Sequence, residues 1–138
     1  MKLIRPTRWN SSYRYFVGDV VLARVPYTGP DVNRYIDLRP TVLVSRPERP
    51  YGLWGVATLT LQAGHGRYRV RANSRNGLEQ NGYLWSTELS WLSVDDLRQP
   101  LGMVDAQLAE AIIVNCGLDH DRARLLREAA VLEVRWAA

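Results

Sequence analysis

The chain divides into two parts by the spacing of its apolar residues. Up to about residue 94, apolar residues come in short runs or alternate with polar ones, and β-branched residues are common among them. This pattern is typical of short β-strands bounded by turns. The strands are predicted at residues 16–25, 41–45, 54–61, 68–72, 83–89 and 91–94, the last two being either separate or one bent strand.

Turn-forming residues separate these strands. The longest such segment, residues 26–38, contains Gly29, Pro30, Asp31 and Asn33, and it predicts a long loop. A second predicted loop, residues 73–82, follows the fourth strand.

The last third of the chain has a helical pattern instead. Apolar residues recur every three or four positions over 104–116 and again over 121–136. Asp105 is a suitable N-cap for the first of these helices, and Gly117 is a suitable residue to end it. Strands followed by helices predict an α+β fold, in which a small, strongly curved antiparallel sheet or barrel carries C-terminal helices.

Charge is distributed unevenly along the 138 residues. Residues 1–82 carry a net charge of +8 and residues 83–138 a net charge of −4, and only Lys2 among the basic residues is a lysine. Arginine has a planar fork that suits phosphate and stacks on bases. The first part of the chain therefore favours a polyanionic partner, and the alternative is a solvated surface rich in arginine.

Several classes of protein are disfavoured by the sequence. No apolar stretch is long enough to span a bilayer, and the N-terminus lacks the apolar run of a signal peptide. Cys116 is the only cysteine, so no internal disulfide forms, and its apolar helical context predicts packing rather than reactivity. His65 and His120 lack metal-ligand spacing. We expect a cytoplasmic protein without metal or cofactor and without contact to a membrane.

Four short motifs come in an order that resembles the MazF/PemK family of ribonuclease toxins. Residues 18–21 read G-D-V-V, and residues 38–45 read L-R-P-T-V-L-V-S after the predicted loop. Residues 58–60 (T-L-T) and 101–105 (L-G-M-V-D), with a helix after them, are similar to later motifs of the family. The resemblance covers residues 17–118 of a single domain and leaves an N-terminal extension, 1–16, and a C-terminal helical extension, 119–138.

The resemblance implies a fold and an activity. The fold would be a compact SH3-like barrel with a terminal helix, assembled as a homodimer. The activity would be that of the toxin in a type II toxin–antitoxin system, a metal-independent endoribonuclease that cleaves single-stranded mRNA. The partner would be a cognate antitoxin with an acidic tail. By the same resemblance, Arg39 and Thr60 fall on the catalytic arginine and threonine.

The chemistry of these two residues suits RNA cleavage. Attack of a ribose 2′-OH on the adjacent phosphate builds negative charge on the non-bridging oxygens, which an arginine fork can stabilise. His65, between two glycines, and Glu88 are candidates for proton transfer. Three arginines are the candidates for RNA contacts: Arg34, Arg67 and Arg69.

Two positions depart from the family pattern. Thr87 and Ser90 stand where the family commonly has an acidic residue and an arginine. This favours an alternative, a non-catalytic SH3-like barrel that binds nucleic acid or a protein partner. A third possibility is a toxin of the same fold that acts on a protein such as gyrase. The tryptophans Trp54, Trp85 and Trp91 are expected in the core or at an interface rather than as base-stacking surfaces.

Overall fold

The chain forms a small α+β fold, in which a strongly curled antiparallel sheet makes a half-barrel and two helices follow it. The computed structural model describes residues 15–48, 52–62, 64 and 68–131. The predicted fold class, with a strongly curved antiparallel sheet and C-terminal helices, is confirmed at this level.

The described residues contain seven strands, a single 3-10 turn and two helices. The strands are β1 (Asp19–Thr28), β2 (Arg34–Ser45), β3 (Trp54–Thr60), β4 (Arg69–Val70), β5 (Gly82–Leu84), β6 (Ser90–Leu92) and β7 (Leu97–Met103). The 3-10 turn is Val94–Asp96, and the helices are α1 (Ala106–Cys116) and α2 (His120–Val131). The strand order across the sheet is β4-β5-β3-β2-β1-β7, and β6 pairs with β3 beside β5.

The first two strands form a long hairpin, so the prediction of a loop over residues 26–38 is wrong. Only residues 29–33 make the connection, and β1 and β2 are paired up to it on both sides. Tyr27 and Tyr35 are opposite one another in this pairing, and their rings stack with centroids 5.5 Å apart. Such cross-strand aromatic pairs stabilise a hairpin, and here they extend it beyond the point that the turn-forming residues suggest.

Both faces of the sheet are covered by side chains of a hydrophobic core. The helices pack on one face, and the core there includes residues of β1, β2, β3 and both helices: Val20, Val42, Val44, Ala57, Leu59, Leu108, Ile112 and Leu126. The opposite face holds a second cluster: Val21, Ala23, Val25, Leu43, Trp54, Val56, Leu92 and Leu97. Neighbouring residues of a strand therefore belong to different cores, which fixes the register strongly.

Strand β7 is not predicted from the sequence, because Pro100 and Gly102 interrupt its pattern. It lies at the end of the strand path beside β1, a position where proline is tolerated. Gly102 lies against the backbone of Arg75 and Asn76, where an added Cβ would collide with both residues. The glycine thus permits a close backbone contact rather than ending the strand.

The predicted helix ends are confirmed for α1. The Asp105 carboxylate accepts a hydrogen bond from the Leu108 backbone N–H, and Gly117 ends the helix in the left-handed conformation with φ of 58°. The second helix begins one residue before its predicted start, and the predicted end at 136 lies outside the described residues.

Asp105 also joins the helix to the loop before β5. Its Oδ2 accepts hydrogen bonds from the side-chain amides of Asn73, at 2.8 Å, and Asn76, at 3.2 Å. Asn76 is fully buried, so its amide depends on partners within the protein.

Neither helix in the described part of the chain is long and apolar enough to cross a membrane.

We expect Asp105→Ala to lower the free energy of unfolding by about 2–3 kcal/mol, because it removes an N-cap and an acceptor of a buried amide. Urea unfolding followed by circular dichroism measures this. Asp119→Ala is the matched control: Asp119 accepts from the Arg122 backbone N–H near the start of α2 but is exposed, so about 1 kcal/mol is expected. Equal losses in the two variants would contradict the role given to Asp105.

Candidate functional site

The fold brings Arg39 and Thr60 into contact although 21 positions separate them in the sequence. Nη1 of Arg39 donates a hydrogen bond to Oγ1 of Thr60, with a distance of 3.0 Å. The contact follows from the pairing of β2 with β3, because Thr41 is opposite Thr58 and the same register carries Arg39 to Thr60. The two residues that the family resemblance singles out therefore lie side by side.

Arg39 does not lie at the end of a loop, as the sequence suggested, but within β2 opposite Ala23. Only 18% of its side chain is exposed. The guanidinium carbon lies 4.0 Å from the centre of the Trp85 ring and 5.5 Å from that of Tyr27. Both distances are within the range of cation–π attraction, so two rings and the sheet hold the guanidinium in place.

The contacts of Arg39 and Thr60 leave hydrogen-bond donors unused. An arginine has five N–H donors. One goes to Thr60 and one, from Nη2, goes to Oδ2 of Asp37 at 2.9 Å. Nε is buried and has no acceptor among the described residues. Oγ1 of Thr60 accepts from both Arg39 and the Gln62 backbone N–H, at 3.3 Å, which leaves its own O–H as a donor.

Asp37 is a member of the site that the sequence analysis missed. Its carboxylate forms an ion pair with Arg39, and 45% of its side chain is exposed. Tyr35, Asp37 and Arg39 alternate along one face of β2. That alternation is the signal that could have found Asp37, but it is visible only if residues 34–40 are interpreted as a strand.

Arg69, predicted to contact RNA, is aligned with Arg39 and Thr60 across the sheet. It is opposite Tyr83 in the pairing of β4 with β5, and Tyr83 is opposite Thr60 in the pairing of β5 with β3. Residues directly opposite in antiparallel strands share a face of the sheet. Arg69, Tyr83, Thr60 and Arg39 therefore form a row across four strands, which spans about 14 Å at the usual strand spacing.

The other predicted residues are not part of this group. Arg34 is exposed at the hairpin end of β2. Glu88 is exposed, and no hydrogen bond or ion pair in the described residues joins it to Arg39 or Thr60. His65 and Arg67 lie outside the described residues.

Three aromatic residues, Tyr35, Tyr27 and Trp85, form a continuous set of rings beside Arg39, which we name the aromatic ladder. Tyr27 stacks on Tyr35 at an interplanar angle of 26°. Its ring centroid lies 6.0 Å from that of Trp85, at an interplanar angle of 58°.

The three tryptophans expected in the core or at an interface differ in burial. Trp54 is buried in the core, Trp85 is half-buried, and Trp91 is 51% exposed.

A hydrogen bond fixes the outer ring of the ladder. The Tyr35 hydroxyl donates to the carboxylate of Asp31 in the hairpin turn. This bond is the main cause of a lowered pKa for Asp31, and the backbone N–H of Asn33 adds to it. The same bond raises the pKa of Tyr35.

A cavity of about 510 Å³ opens next to Arg39 and Thr60. Its apolar lining comes from side chains of five segments: Leu22, Leu38, Pro40, Leu59, Leu78 and Leu101. Exposed amides of Gln62, Gln80 and Gln99 supply polar groups at the same cavity. Because Leu38 and Pro40 alternate with Arg39 along β2, this apolar lining lies on the face of the sheet opposite the aromatic ladder.

Cys116 has a separate, structural environment. Burial raises the pKa of its thiol, and the side chain packs against the core under the helices. A raised pKa disfavours the reactive thiolate, in keeping with a packing role. In the residues that the structure describes, no three His, Cys, Asp or Glu side chains are grouped as a metal site requires.

The group around Arg39 combines fixed N–H and O–H donors with a carboxylate. Donors of this kind bind anionic oxygens, and an ionised carboxylate accepts a proton or a hydrogen bond.

No protein-family model matches this chain, and no curated protein matches it either.

Proposed function

We propose that the chain is a metal-independent endoribonuclease that cleaves single-stranded RNA, with an SH3-like barrel of the MazF/PemK type. The observation that carries the proposal is the contact between Arg39 and Thr60, whose remaining donors have no acceptor among the described residues; Arg39 Nε and Thr60 are themselves buried. These are the two residues that the resemblance marks as catalytic, and they are distant in sequence.

In the proposed reaction the ribose 2′-OH attacks the adjacent phosphorus atom. Negative charge develops on the non-bridging oxygens, where the N–H groups of Arg39 and the O–H of Thr60 donate hydrogen bonds. The bond from phosphorus to the 5′-oxygen breaks, and that oxygen leaves with a proton. The products are a 2′,3′-cyclic phosphate and a 5′-hydroxyl end.

Asp37 is the residue best placed to take the proton from the 2′-OH. Its carboxylate is held next to the guanidinium by the 2.9 Å ion pair, and much of it is open to solvent. It supplies an acidic group beside Arg39, although Thr87 replaces the acidic residue of the family pattern. Proton transfer by His65 or Glu88 stays a prediction.

The wider RNA contact is proposed along the row from Arg39 to Arg69. Arg69 is exposed and has no acidic partner in the described residues. Arg34 lies off this row, on the other face of β2, and its contact with RNA stays a prediction. A backbone phosphate bound at Arg69 would add electrostatic attraction to that at Arg39. Arg67 stays a prediction for the same role.

The biological setting follows from this proposal. We propose a cytoplasmic, growth-inhibiting toxin of a type II toxin–antitoxin pair. An antitoxin with an acidic segment would compete with RNA for the same arginines.

The alternative is a non-catalytic barrel that binds nucleic acid or a protein. Two observations favour it: Arg39 is largely covered by its neighbours, and Thr87 and Ser90 replace the family's acidic residue and arginine. The two proposals are separated by whether RNA is cut.

We expect the wild type to cut a long single-stranded RNA in the presence of EDTA, leaving 2′,3′-cyclic phosphate ends. Arg39→Lys keeps the charge but loses the fork, so the rate should fall about 10²- to 10³-fold, as for loss of an oxyanion donor. Gel electrophoresis of end-labelled RNA measures the rate. Arg98→Lys, which changes an exposed arginine of β7, is the matched control and should cut at the wild-type rate.

Two results would count against this account. If the wild type cuts no RNA in EDTA or in magnesium, the enzyme proposal fails and the binding barrel replaces it. If Arg39→Lys cuts as fast as the wild type, the active site is elsewhere. Arg39→Ala is less suitable as a test, because it also removes the cation–π contacts, worth about 0.5–2 kcal/mol each.

The proposed homodimer has a candidate surface on the hairpin. Ile36 and Leu38 are 56% and 57% exposed and lie on the same face of β2. We expect light scattering at micromolar concentration to give about twice the 15.8 kDa chain mass, and Leu38→Glu to shift the protein toward monomer. Val114→Glu, at an exposed apolar position of α1, should stay dimeric. A monomeric wild type would disprove the homodimer.

A further inference from the structure

The aromatic ladder lies on the same face of the sheet as Arg39. Tyr35 and Tyr27 are opposite one another across the hairpin, and Arg39 follows Tyr35 by four residues along β2, an even step that keeps the same face. The Trp85 ring contacts both Arg39, whose guanidinium lies over it, and Tyr27, whose ring lies next to it. The rings therefore lead from the guanidinium toward the tip of the hairpin.

The ladder differs from an aromatic cluster of the core in its exposure. Tyr35 is 40% exposed, whereas Trp54 in the core is 3% exposed. Tyr27 and Trp85 are half-buried. An apolar ring system that reaches the surface next to a charged site has area available for a ligand.

The rings are also held rigidly. The hydroxyl of Tyr35 is bonded to Asp31, and Asp31 is itself held by hydrogen bonds from the backbone N–H and the side chain of Asn33. Tyr27 is packed between Tyr35 and Trp85. Because little side-chain freedom remains to be lost, stacking of a flat ligand on Tyr35 costs little entropy.

We propose that the aromatic ladder is a base-stacking subsite, in which a nucleobase of single-stranded RNA stacks on Tyr35 while a phosphate of the same strand lies at Arg39. The placement of the phosphate rests on the proposed function. Every nucleobase has a π face, so the subsite binds a base without selecting its identity.

The charges around the ladder favour this orientation of the nucleotide. Asp31 lies beside the outer ring, where it repels phosphate but accepts hydrogen bonds from base amino groups. Arg39, at one end of the ladder, provides the positive charge on this face, because Arg34 alternates with Tyr35 along β2 and belongs to the other face of the sheet. The base therefore lies over the rings, and a phosphate of the strand lies at Arg39.

The test compares two strands that cannot be cleaved. One is an eight-nucleotide 2′-O-methyl RNA, and the other is an abasic sugar–phosphate strand of the same length. Fluorescence anisotropy gives Kd for each. We expect the wild type to bind the base-containing strand about 5- to 150-fold more tightly, as for one stacked base. Tyr35→Ala should lose most of that preference and bind the abasic strand as the wild type does.

Three further variants define the result. Tyr35→Phe retains the ring and should keep most of the base preference of the wild type. Tyr35→Leu still covers Tyr27 with an apolar side chain but has no ring, so it should lose that preference. Trp91→Ala removes a more exposed aromatic residue from β6 and should behave as the wild type.

The proposal is overturned if the wild type binds the two strands equally, if neither strand binds, or if Tyr35→Ala retains the base preference. It is also overturned if Tyr35→Ala raises Kd for both strands by the same factor. Because neither strand can be cut, these outcomes are independent of the cleavage assay. A chain that cuts no RNA but shows the Tyr35-dependent preference would refute the enzyme and retain the subsite.

Discussion

The position of the Arg39 guanidinium over the Trp85 ring is the interaction on which the proposed site depends. At 4.0 Å from the ring centre, the guanidinium stays between the aromatic ladder, Thr60 and Asp37 instead of extending into solvent. A fixed guanidinium provides donors in a defined direction without reorganisation, which is the property that stabilises charge in a transition state. The long β1–β2 hairpin and the register between β2 and β3 together produce this position.

The register leaves little freedom for the site. Two cores cover opposite faces of the sheet, so a slip of one residue in β2 would place Arg39 on the face of the helices and a core residue in the site. The buried positions on both sides of β2, such as Val42 and Leu43, therefore determine where Arg39 and Asp37 point. Core packing and site geometry are consequences of the same pairing.

The sequence predicted those parts of the fold that depend on local pattern. Strand β3 and the caps of α1 have clear periodicity and capping residues, and their predicted positions agree with the structure. The hairpin was misjudged because Gly29 and Pro30 suggested a long loop, whereas the stacking of Tyr27 on Tyr35, which extends the strands, is a contact across them. Local propensity does not include such contacts.

The site shows the same division between local and long-range information. Arg39 and Thr60 were proposed from motifs, but their contact arises from strand pairing that no local pattern encodes. Asp37 and the ladder were missed because they belong to the segment taken for a loop. Glu88 was proposed as an acidic residue next to Thr87, which stands at the family's acidic position, and the structure leaves it exposed without a link to Arg39.

The most direct measurement is the NMR signal of the Arg39 Nε–H group in nitrogen-15-labelled protein, assigned by its loss in Arg39→Lys. In the free protein it should be displaced by the ring current of Trp85. Addition of the non-cleavable RNA strand should shift it further and saturably, because a phosphate oxygen joins the guanidinium. A signal that stays unchanged while backbone resonances report binding would contradict the assignment of Arg39 as the phosphate-binding group.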